Sequence, residues 1–137
     1  MLQVITNGYE SPDGTYFRVH AAEPELEVND QGEQVLKLVN GEGTRRSSWG
    51  TPGVTSTVLL QTDQLVAIHV GFHHKHGGGQ FYRYYRFHSG LQQWEQATWA
   101  QLNDNERLDV LEAYEAKAPS WAKVPGKLSI ERGKAVC

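Results

Sequence analysis

The chain has 137 residues, with 13 Lys or Arg, 16 Asp or Glu and six His, for a formal net charge of −3. One domain is the natural expectation at this length, and a chain this long buries enough surface to fold without disulfides or metals. Repeated apolar runs such as Val35–Val39 and Leu65–Ile68 exclude wholesale disorder, and the longest of them is far short of the ~18–20 residues of a membrane span.

The N-terminus shows no secretory signal, and Cys137 is the only cysteine, so no intrachain disulfide forms. These features lead to the expectation of a cytoplasmic protein. The small net charge hides four blocks: −6 over residues 1–43, +4 over 44–90, −4 over 91–117 and +3 over 118–137. Such segregation steers partners or pairs blocks within the fold.

In chain order, Leu2–Ile5 reads as a short strand, followed by turn signals at Asn7-Gly8 and Ser11–Gly14. Tyr16–His20 alternates, with Tyr16, Arg18 and His20 on one side. Leu26–Val28 and Gln34–Val39, joined through Asn29–Gly32, read as a hairpin. Residues 44–53 form a Gly/Ser/Pro loop carrying Arg45, Arg46 and Trp49. Thr55–Leu60, Gln64–Phe72 and Gln80–His88 are strand-like.

The period then changes. Thr98–Gln101 has the form of a capping box, and Asn103-Asp104 restarts a helix that Pro119 stops. Leu108, Leu111 and Tyr114 mark its expected buried stripe, flanked by Val110 and Ala118. Trp94, Trp99 and Trp121 are expected to close the core under the helix. Residues 119–137 read as a basic arm that packs through Trp121, Val124, Leu128 and Ile130.

The layout is α+β: a curved, mostly antiparallel sheet of about six or seven strands, a partly open barrel at the limit, with a C-terminal helix and an extended basic tail. A pure β-sandwich is the alternative. Residues 1–118 make one domain, mainly β to 92 and mainly helical from 93.

The informative segment is 65–88. In a simple hairpin turning near His76-Gly77, Phe72, Val70, Ile68 and Val66 share a face with Phe81, Arg83, Tyr85 and Phe87. The other face collects His69, His73, Tyr82, Tyr84, Arg86 and His88, and Arg18 and His20 extend it. Such a surface offers a planar fork for phosphate and rings for stacking bases. It also suits acid–base chemistry of the kind small nucleases use.

Four readings compete. His73, His74 and His76 are weak metal candidates, because zinc takes three or four ligands and no Cys, Asp or Glu lies close in sequence. No phosphate loop or nucleophile elbow is present. Tyr, Trp, Phe and Arg are enriched at interface cores, and this chain has 14 aromatics and seven Arg. The preferred expectation is therefore a non-enzymatic, accessory or regulatory module without a cofactor. It binds another protein or forms a homo-oligomer through Arg45, Arg46 and Trp49 and through His69, Tyr82, Tyr84, Arg86 and His88. The alternative is a nucleotide- or RNA-binding protein, or a small nuclease, using the same hairpin face.

Overall fold

The computed structural model describes residues 1–8, 22–42, 53–74 and 77–126. It contains seven strands and one α-helix: β1 (Gln3–Gly8), β2 (Glu25–Val28), β3 (Gln34–Glu42), β4 (Gly53–Gln61), β5 (Leu65–His74), β6 (Gly77–His88), β7 (Gln93–Ala97) and α1 (Asp104–Lys117). The hydrogen-bonded order is β1-β3-β4-β5-β6-β7, with β2 on β3. Strands β1 to β3 form a three-stranded group and β4 to β7 a four-stranded one. They are linked where Gly41 pairs with Val54 and Glu42 with Gly53.

The β2–β3, β3–β4 and β6–β7 pairs are antiparallel, as the hairpin spacing predicts. No pair joins β1 to β7 among the described residues, so no barrel closes. Helix α1 makes the chain mixed α+β and sets aside the pure sandwich. No helix among the described residues is long and apolar enough to cross a membrane.

The chain divides into two compact units, to which β4, β5 and β6 each contribute. The described part of the second unit spans 4–8, 22–42, 53–56, 70–74 and 77–80. Its clearest local logic is the β2–β3 turn. Asn29 Oδ1 accepts from Gln31 N at 3.0 Å and Glu33 N at 2.9 Å, and Gly32 takes φ +80°. That side-chain turn fits Asn, and the positive φ fits Gly. The turn sets the register Leu26↔Leu36 and Val28↔Gln34. Lys37 Nζ meets Glu27 at 3.1 Å, with both side chains 38 % exposed, a pair that contributes little. Leu36 and Leu38 are buried with Val35 and Val54. Ser56 Oγ donates to Val39 O at 2.7 Å.

The first unit contains described residues 1–3, 57–69 and 81–126. Its core comprises Leu59, Leu65, Ala67, Tyr82, Tyr84, Ala97, Leu102 and Val110, with Trp99, Ala113, Tyr114 and Ala118 packed against it. One face of β4–β7 thus meets one stripe of α1. The helix starts where the sequence predicts. Asn103 Oδ1 accepts from Glu106 N, and Glu106 Oε1 accepts from Asn103 N, both at 2.8 Å. Thr98 N–H donates to Gln101 Oε1 at 2.8 Å, but it caps a single 3-10 turn, Trp99–Gln101. The helix stops at Lys117, two residues before Pro119.

The buried stripe differs from the expected one. Val110 is fully buried and Leu108 is 56 % exposed. Positions 110, 113, 114 and 118 follow helical spacing, whereas 108 lies two residues, about 200° around the helix, from 110. The small Ala113 and Ala118 let the helix sit close on a floor of tyrosine rings.

Candidate functional site

Strands β5 and β6 carry the residues singled out by the sequence. Their alternation holds: Leu65, Ala67, Tyr82 and Tyr84 share one cluster. At the open end of the hairpin, Phe87 N–H donates to Gln64 O at 3.0 Å. This sets Phe87 two residues out of step with a Val66 partner, and an offset of two leaves every side chain on its face.

What differs is exposure. His69 is 0 % exposed and Tyr82 and Tyr84 are 1 % each. The face expected to meet ligand is the floor on which α1 packs. Tyr82 and Tyr84 lie with ring centroids 6.4 Å apart and planes 5° apart, and Tyr84 tilts against Trp99 at 5.7 Å. His69 meets Tyr82 edge-on at 5.0 Å and Trp121 at 5.1 Å. A nucleobase or phosphodiester reaches this floor only by displacing protein, so the anion-binding and catalytic readings draw no support from it.

Arg86 is brought to the rim of this face and is engaged there. Its Nη2 donates to Glu106 Oε1 at 2.8 Å and its Nε to Glu106 Oε2 at 3.1 Å, and Nη2 also reaches Gln101 O. Glu106 therefore caps α1 and clamps it to β6 at once. Arg107 binds the same 3-10 turn from the helix side, donating to Trp99 O at 3.1 Å and Ala100 O at 2.9 Å.

The fork-like Arg86–Glu106 pair is the strong type of charge-assisted bond, discounted because the Arg86 side chain is 37 % exposed. Arg86→Ala is expected to cost about 1–2 kcal/mol in urea unfolding. Arg86→Lys should recover only part, because an ammonium has no fork.

His88 is exposed, and its Nδ1 accepts from Leu91 N at 3.0 Å, which orders the β6–β7 turn. It is not drawn into the His69–Tyr82–Tyr84 group. Among the three tryptophans expected beneath the helix, only Trp99 packs there. Trp94 lies on β7 on the opposite side of the sheet, T-shaped to its cross-strand partner Phe87 at 5.7 Å. Trp121 is 51 % exposed.

Arg83, on the other hairpin face, is 4 % exposed, with its guanidinium 4.3 Å over the Phe81 ring. Arg18, His20, Arg45, Arg46, Trp49 and His76 lie outside the described residues, as do the side chains of His73 and His74. Among the described residues, no group of three His, Cys, Asp or Glu is placed to hold a metal.

The segment after α1 completes the site. Its Ala122 and Pro125 are buried, and Trp121 and Val124 are exposed. Tyr82 Oη donates to Lys123 O at 2.6 Å and Tyr114 Oη to Ala122 O at 3.1 Å. Of the anchors expected for this arm, Trp121 packs edge-on against His69 while staying half exposed, Val124 is exposed, and Leu128 and Ile130 lie outside the described residues; the buried positions are Ala122 and Pro125. The sequence gives little sign of it, because Ala and Pro carry weak hydropathy signals.

Comparison with family models, curated proteins and solved structures finds no match. The functional reading therefore rests on this geometry alone.

Proposed function

We propose that this chain is a small, non-enzymatic protein-binding or assembly module in a regulatory or accessory role. One observation carries the reading: the aromatic floor already receives polypeptide, through tyrosine hydroxyls that donate to the main-chain carbonyls of Ala122 and Lys123. Rings with a polar tip that donates to a carbonyl are suited to holding peptide, and such residues are favoured at protein interfaces. The guanidinium expected to serve an anion, Arg86, is held by Glu106. That observation favours polypeptide over phosphate as the partner chemistry.

Sedimentation of the full chain at micromolar concentration, alone and after incubation with cell extract, tests the reading. The expected result is self-association or a stable complex with another protein. A strict monomer that retains no protein contradicts it. Retention of RNA or nucleotide with a steep loss on adding salt would instead support the nucleic-acid alternative.

A further inference from the structure

The segment Pro119–Gly126 lies on four aromatic residues of one compact unit as a bound peptide would. It begins with a turn, Ala122 N–H donating to Pro119 O at 3.0 Å. Its next two residues give their carbonyls to Tyr114 and Tyr82. Trp121 sets its ring against the edge of His69 at 5.1 Å. At the far end, Gly126 takes φ +84° so close to Trp99 that a Cβ there would lie 2.7 Å from the indole Nε1.

Prolines at both ends limit the freedom of this segment before it docks. Prolines likewise stiffen the peptides that aromatic-lined grooves of other proteins recognise. The fit is also incomplete. Trp121, the largest side chain of the segment, remains 51 % exposed, and Val124 remains 41 % exposed.

We propose that His69, Tyr82, Trp99 and Tyr114 form a recognition groove for a proline-bearing segment of a partner protein in which a short extended stretch lies between two turns, and that residues 119–126 are its built-in competitor. The proposal rests on the protein-binding reading above and names the partner chemistry. The tethered segment holds the groove at high effective concentration, so a partner in trans must bind better than the strap does. The half-exposed Trp121 leaves contact area that a better-fitting segment can use.

The test uses the full chain and a fluorescent peptide of sequence Ala118–Gly126, read by anisotropy. Ala122→Glu places a carboxylate where the strap is buried and expels it without altering the groove. The peptide is expected to bind A122E about tenfold or more tighter than the wild-type chain, where the strap competes. Adding Tyr82→Phe to A122E removes one donor to the peptide and should weaken binding about fivefold.

If A122E fails to fold, by circular dichroism, the double variant Trp121→Ala with Pro125→Ala loosens the strap by removing its ring contact to His69 and one buried proline, without burying a charge, and replaces A122E in the assay. The proposal is overturned if a folded, strap-weakened variant does not bind the peptide, or binds a scrambled peptide equally well. Dimers formed by A122E without peptide would make a second copy the occupant and overturn the partner assignment. Failure of the peptide with sedimentation still showing a protein complex removes this inference and leaves the protein-binding reading standing.

Discussion

Val110→Asp should unfold or severely destabilise the chain, by more than about 3 kcal/mol, while Leu108→Asp two residues away should change stability by less than about 0.5 kcal/mol. Val110 is 0 % exposed and Leu108 is 56 % exposed. An aspartate at 110 would enter a cluster of Leu59, Tyr82, Tyr84 and Leu102, where desolvation of the carboxylate is not offset by any cation brought into that cluster. At 108 the same carboxylate stays in water. Urea unfolding followed by far-UV circular dichroism gives both values. Equal effects at the two positions would mean that α1 docks through another face.

Tyr84→Ala carries the second large effect, about 3–5 kcal/mol, the range for removing a buried large aromatic. The ring is 1 % exposed, stacks on Tyr82 and leans on Trp99. It also stands opposite Ala97 in the β6–β7 register, where the small partner leaves room for it. Truncation therefore opens a cavity beneath α1 that neither Ala97 nor Ala113 is large enough to fill. Tyr84→Phe preserves the ring packing and should cost far less, which separates the packing role from any role of the hydroxyl. The comparison is made by urea midpoint at constant slope, since a changed slope would signal a changed unfolded state.

Much of this fold is legible because local chemistry decides it. Asn29 and Gly32 specify the β2–β3 turn, Asn103 with Glu106 starts α1, and Pro119 follows its end. Strand alternation alone puts Leu65, Ala67, Tyr82 and Tyr84 on one face. It does not say which face is covered. Tyrosine and histidine have an apolar body and a polar tip, so the same residues suit a wet ligand face or a packed floor. The choice is made by α1 and residues 119–126, distant in sequence.

The helix stripe was hidden for a related reason. A pattern read by bulk favours Leu108 and Leu111, whereas the docked face uses Val110 with Ala113 and Ala118, whose small size matters more than their hydropathy. Arg86 looks like an anion ligand until Glu106, 20 residues on, is brought to it. Arg45, Arg46 and Trp49 and the side chains of His73, His74 and His76 lie outside the described residues.

The His69–Tyr82–Tyr84 face is closed by protein rather than open to ligand. Modification of the folded chain by diethylpyrocarbonate, mapped by mass spectrometry, tests it within a single sample. His88 is exposed and serves as the internal reference, while His69 is 0 % exposed. Rapid modification of His88, protection of His69, and loss of that protection in urea are expected. Modification of His69 as fast as His88 in the folded chain would contradict it.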